Sequence, residues 1–244
     1  MASVSTQETQ ATRLATVAAL AEPLRRGIYL FVASEPKSVS RDQAAERFGV
    51  SRAVAAFHLD KLADLGLLDV EFKRPPGKGG PGAGRPAKLY RTSSGEVSFS
   101  IPPREYELAG ELLAEAVSVS VRDGVPVDQA VHDTARTVGH TIGRRALEKA
   151  GEAVSGEAMV DVACDVLSSC AYQPHDDGDQ VVLLNCPFHA LAQQYRDLMC
   201  GMNLALMTGL TEELEGAGLE ARLEPHPGEC CVRLIRRTPP GEQA

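Results

Sequence analysis

Twelve consecutive residues constrain this chain more than any others: Pro75-Pro76-Gly77-Lys78-Gly79-Gly80-Pro81-Gly82-Ala83-Gly84-Arg85-Pro86. Nine of them are glycine or proline, and neither a helix nor a strand can run through such a segment. The chain must turn here. On one side, Leu67 to Arg74 alternates Leu68, Val70 and Phe72 with Asp69, Glu71 and Lys73, the period of a strand. On the other side, Lys88 to Arg91 reads as a second strand. From Lys73 to Arg91 there are six basic residues and no acidic one. A plain linker has no need of one-sided charge, whereas phosphate neutralisation does. A glycine-rich loop carrying Lys78 and Arg85 also suits entry into a minor groove.

The residues ahead of this hairpin have helical period. An amphipathic stretch runs from about Thr12 to Ala21, and Pro23 suits the first turn of a second helix. Ser40 followed by Gln43 is a capping-box pattern that opens a short helix with Ala44, Ala45 and Phe48. Gly49-Val50 is a tight turn, and Ser51 is a good N-cap for the next helix. Two short helices about a glycine turn are the helix-turn-helix signature. In the second of them Val54, His58, Leu62 and Leu65, with Ala55 and Leu59 beside them, form the expected inward stripe. On that stripe, His58 is read as a packed histidine. Ser51, Arg52, Ala53, Ala56, Phe57 and Lys61 lie mostly on the other face, where recognition helices meet base edges. Arg52 can fork onto guanine, and Phe57 or the alanines can touch a thymine methyl. Ser40 at the preceding cap and Lys88 on the wing strand complete the expected DNA-contact set.

Residues 25–92, through Ser51-Arg52-Ala53-Val54, His58-Leu59, Lys61-Leu62, Gly66-Leu67 and Gly84-Arg85-Pro86, resemble the ArsR-type winged helices. Within them they look like the branch that includes the SufR-type iron–sulfur repressors. The resemblance implies a homodimer on double-stranded DNA with an inverted-repeat operator. Charge supports the division of labour, because residues 1–104 carry a net charge of +5 and residues 105–244 one of −13. Only the first part is expected to meet a polyanion.

The expected organisation is α+β: a winged helix-turn-helix domain (1–103), central dimerisation helices (104–154) and a small α+β sensor domain (155–238). From Glu105 to Ala153 the chain is nearly continuous helical material, broken at Gly124-Val125-Pro126. Long apolar stripes beside a DNA-binding domain either bury against a second subunit or form an intradomain bundle. His132 and His140 are read as structural. Beyond Glu157, helix, strand pair, helix and strand pair follow in turn. No apolar stretch approaches the ~18 residues of a membrane span. With no basic segment ahead of Ala15–Ala21, a soluble cytoplasmic protein is expected.

Six cysteines in such a chain point to reduced thiols and to metal or redox chemistry. Cys164 and Cys170 lie in an apolar stretch and read as small packed hydrophobes. Cys186, Cys200, Cys230 and Cys231 are expected at element junctions, and a helix N-terminus such as the one Cys186 opens lowers a thiol pKa and favours the ligating thiolate. Their spacing is not that of a zinc ribbon or a Cys₂His₂ finger, which pair ligands two to four residues apart. Asn185-Cys186-Pro187-Phe188-His189, Cys200 and Cys230-Cys231 resemble the C-terminal region of the SufR-like regulators, which implies a 4Fe–4S cluster. The sequence departs from the four-cysteine version of that region, having no cysteine between Cys200 and Cys230. Three ligands are thereby expected, with Cys231, His189, Glu215 or an exogenous group as the fourth. The alternatives are zinc, or structural thiols in a regulator that answers to a small molecule or protein partner. An enzyme is not expected. Cys186 and His189 are the only nucleophile–base candidates, and no oxyanion-hole or phosphate-loop pattern accompanies them.

Overall fold

A computed structural model describes residues 10–73, 86–95, 98–151 and 155–237. The chain divides into two compact units, with the boundary between Phe99 and Ser100.

The N-terminal unit runs α1 (Gln10–Ala19), α2 (Pro23–Ser34), β1 (Val39–Ser40), α3 (Arg41–Phe48), α4 (Arg52–Asp64), β2 (Leu68–Lys73) and β3 (Ala87–Thr92). Each helix start has a local cause. Glu22 accepts from the Leu24 and Arg25 amides ahead of Pro23, Ser40 and Gln43 close a reciprocal capping box on α3, and Ser51 accepts from the Val54 amide. Gly49 ends α3 with φ of 64°, a left-handed conformation that glycine takes without strain. The three strands form an antiparallel sheet in the order β1-β3-β2, with β2 and β3 paired from Leu68↔Thr92 to Lys73↔Ala87. Residues 74–85, with Lys78 and Arg85, lie outside the described residues.

The core here is Ile28, Val32, Val39, Ala44, Ala55, Leu59, Leu62, Leu68 and Tyr90. It corrects the expected stripe of α4. Ala55, His58, Leu59 and Leu62 are buried, while Val54 is 39% exposed and Leu65 only half-buried. The buried face is turned by about one residue from the one centred on Val54. In β2 only Leu68 is buried. Val70 and Phe72 are exposed because the hairpin runs out past the core.

The C-terminal unit runs α5 (Tyr106–Asp123), α6 (Val127–Ala150), α7 (Glu157–Ser169), β4 (Pro174–Asp176), β5 (Gln180–Leu183), α8 (His189–Gln194), α9 (Arg196–Glu213), a 3-10 turn (Glu215–Ala217), β6 (Leu219–Leu223) and β7 (Val232–Arg236). Its sheet is antiparallel in the order β4-β5-β7-β6. Where the sequence reading separates 104–154 from 155–238, one core joins them: Leu112, Ala116, Ala135, Leu167, Leu183, Leu206 and Leu234 belong to a single cluster. Helix α6 runs beside α9 in the same direction, since Gly139 meets Leu206 and Leu210 while Gly143 meets Leu210 and Glu213. The fold is α+β throughout. No helix among the described residues is long and apolar enough to cross a membrane.

Candidate nucleic-acid interface and thiol centre

On α4 the side away from the core presents Arg52, Ala53, Phe57 and Lys61, all exposed, with Ala56 half-buried. Arg52 Nε lies 2.7 Å from Asp42 Oδ1, and the two side chains are 67% and 71% exposed. An ion pair so open contributes little and can be exchanged for another acceptor. The Ser40 and Ser51 hydroxyls are engaged as helix caps. His58 is buried and accepts from Arg25 Nε at 3.4 Å, with its ring edge-on to Phe57.

A network that the sequence reading missed lies on the same side. Asp60 accepts from Arg41 Nη2 at 2.7 Å, from Lys88 Nζ at 2.6 Å and from the Tyr90 hydroxyl at 2.6 Å. Arg41 Nε also donates to Tyr90 Oη at 2.9 Å. Burial pushes the Asp60 carboxyl up, but the hydrogen bonds from Lys88, Tyr90 and Arg41 outweigh it and hold the pKa at about 2. One fixed carboxylate thus aligns two cations, Arg41 from α3 and Lys88 from β3. The available signal was a lone acid on the outer face of a reading helix, in a region of basic excess.

Residues 20–71 match the family model of a helix-turn-helix domain. The chain carries a helix-turn-helix domain. No curated protein and no solved structure matches the chain. The match ends within β2, so the wing strand β3 and the whole C-terminal unit are described by their geometry alone.

In that unit four cysteines converge from three parts of the chain. Pairing of β5 with β7 continues through the Cys230 amide, which donates to Leu183 O at 2.8 Å. Cys230 is thereby set beside the loop that follows β5, close enough for its thiol and that of Cys186 to act on each other. From α9, the Cys200 thiol donates to Cys231 Sγ at 2.9 Å. Behind this pair of pairs, the Tyr172 hydroxyl donates to Asn203 Oδ1, and Asn203 Nδ2 donates to Cys230 Sγ at 3.2 Å. Both Tyr172 and Asn203 are buried. The Cys230 hydrogen bond, the Phe188 amide and the Arg104 cation bring Cys186 down to about 7. The neighbouring Cys186 and burial push the Cys230 thiol up. Burial and the neighbouring Cys231 raise Cys200 to about 12.

The other candidates lie apart from this set. His189 is exposed, with Nε2 at 2.9 Å from Gln193 Nε2, and Glu215 is exposed in the 3-10 turn. Cys164 and Cys170 are half-buried against the core, and burial raises Cys170 to about 11. Among the described residues no three His, Cys, Asp or Glu side chains stand as a preformed site for a metal ion. Four thiols, with Cys200 hydrogen-bonded to Cys231, are nevertheless the donor type that an iron–sulfur cluster takes, as thiolates on separate irons.

Proposed function

We propose that this chain is a homodimeric, sequence-specific DNA-binding transcription regulator of the cytoplasm, whose C-terminal cysteines bind a 4Fe–4S cluster and thereby sense redox or iron status. The observation that carries the reading is the convergence of Cys186, Cys200, Cys230 and Cys231 in a chain with a helix-turn-helix domain. Arg52, Ala53, Ala56, Phe57 and Lys61 read bases, while Arg41, Lys88 and the wing residues Lys78 and Arg85 neutralise phosphates. The four thiolates would hold the cluster, which supplies a redox-active, oxidant-labile iron centre when bound. A zinc ion on the same Cys₄ set is the second reading, because zinc also favours four thiolates.

Helix α5 supports the homodimer. Its inner face buries Ala109, Leu112 and Ala116, yet Tyr106, Gly110, Ala114, Val117 and Val121 form a second, exposed apolar stripe. A second copy of the chain would cover this stripe, and a two-fold pairing mirrors an inverted repeat.

Iron, sulfide and zinc contents of protein purified without oxygen test the sensor. Serine at Cys186, Cys200, Cys230 or Cys231 is expected to abolish iron retention, and serine at Cys164 or Cys170 to leave it intact. Protein with neither iron nor zinc, whose DNA affinity ignores all six substitutions, would overturn the cluster and leave a small-molecule or protein effector.

A further inference from the structure

Residues 100–105 are the segment by which the chain enters the C-terminal unit after leaving the helix-turn-helix unit at Phe99. They are tied to the loop that carries Cys186. Arg104 Nη1 donates to Asn185 Oδ1, to Cys186 O at 3.0 Å and to its neighbour Pro103 O at 3.3 Å. Asn185 Nδ2 donates to Pro103 O at 2.9 Å and to Ala171 O at 2.6 Å. The Glu105 amide donates to Pro187 O at 3.2 Å, and the Arg104 amide to Ser100 Oγ at 2.8 Å. Each of Asn185, Cys186 and Pro187 is therefore bonded to the entering segment. The Cys186 thiol at the same time lies near Cys230 and the Phe188 amide, both of which act on its ionisation.

We propose that Arg104 and Asn185 are positioning residues that pass the state of the thiol centre to the segment leading to the DNA-binding unit. The proposal rests on the thiol centre being the sensor and adds the route by which its state leaves the unit. Asn185 is 7% exposed and has its amide oxygen and both amide hydrogens in use. A buried amide in this position is costly to strip of its partners. When Cys186 exchanges its thiol partner for a metal or an adduct, its loop must re-seat. Separating the loop from segment 100–105 would orphan the Asn185 amide and several backbone groups at once, so loop and segment shift together. Arg104 adds a second link, because it both bonds the Cys186 carbonyl and places a cation near the Cys186 thiol.

The test uses the full chain, kept anaerobic, in three states: metal-free, reconstituted with ferrous iron and sulfide, and alkylated with iodoacetamide at Cys186. Amide hydrogen exchange is followed over 100–106, and affinity is measured for a duplex selected by the protein. The proposal expects exchange over 100–106 to change several-fold on reconstitution and on alkylation, with no change on alkylating a Cys186→Ser protein. Arg104→Met is expected to keep iron content and to lower the melting temperature, because Asn185 Oδ1 loses its donor, while the affinity ratio between iron-loaded and metal-free protein falls towards one. Arg104→Lys restores part of that ratio. Asn185→Ser serves as the second variant, with a lower melting temperature and the same fall in the affinity ratio. Unchanged exchange over 100–106 after Cys186 alkylation overturns the latch whether or not metal binds. An undiminished affinity ratio in Arg104→Met overturns it too. Failure of the wild-type protein to take up iron instead removes the cluster, and the alkylation experiment still decides the latch.

Discussion

Asp60 shows how one residue organises a surface. With three donors on it and its side chain 37% exposed, its carboxyl ionises near 2 rather than at its ordinary value near 4. A lowered folded-state pKa contributes stability that is complete above about pH 4 and is lost as pH falls through about 2. After allowance for solvent screening, the contribution is about 1 kcal/mol. Asp60→Asn is expected to lower the melting temperature at pH 7 and to flatten the acid limb of the stability curve, which thermal denaturation across pH 2–7 measures. An acid limb identical to that of the wild type would contradict the network. Arg52 is expected to behave differently. Arg52→Ala should leave stability unchanged but cost about 1–3 kcal/mol of discrimination among DNA sites, read by competition binding. The caps at Ser40 and Ser51 were legible in the sequence because their partners lie three residues away. Arg41 was not, because its partners Asp60 and Tyr90 are distant in sequence and meet it only when α3, α4 and β3 pack.

At the scale of elements, period and punctuation carried the reading furthest. The helix from Pro23, the Gly49 turn, the strands around the glycine–proline segment and the helix–strand order beyond Glu157 follow from neighbours in sequence. The close approach of α6 and α9 does not. It depends on Gly139 and Gly143 of α6 lying against Leu206, Leu210 and Glu213, and on Gly209 of α9 lying against Arg136 and His140, a pairing no local pattern displays. A Cβ at Gly209 would overlap the Arg136 carbonyl, and one at Gly139 the Leu206 carbonyl, so neither helix can yield without moving its backbone. Gly209→Ala is expected to destabilise the protein by about 1–3 kcal/mol, the usual cost of overpacking, seen as a lower denaturant midpoint. Gly110→Ala, where nothing stands within 4 Å of the added methyl, is the control and should leave monomer stability at least intact. The outer stripe of α5 gives another expectation. Val117 is 51% exposed, so Val117→Glu should leave the fold of one chain intact yet shift sedimentation from dimer to monomer. A dimer that survives the glutamate places the seam elsewhere.

Across the whole molecule, a basic unit that carries the helix-turn-helix is joined to an acidic unit that gathers four thiols. The sequence reading placed Cys186, Cys200, Cys230 and Cys231 at element junctions, although Cys200 lies within α9, and left Cys231 level with His189 and Glu215 as fourth ligand. Choosing among those requires knowing that α9 lies against the start of β7, a tertiary fact. If thiol state and DNA affinity are coupled, the coupling has the typical size of about 1–3 kcal/mol, or roughly 5–150-fold in affinity. The most direct measurement is selection from a pool of random duplexes by protein prepared without oxygen, run in parallel with its iron-loaded and metal-free forms. The account predicts an enriched inverted repeat that the two forms bind with affinities at least about fivefold apart. Enrichment of no sequence, or equal affinity of both forms for the one enriched, would contradict it.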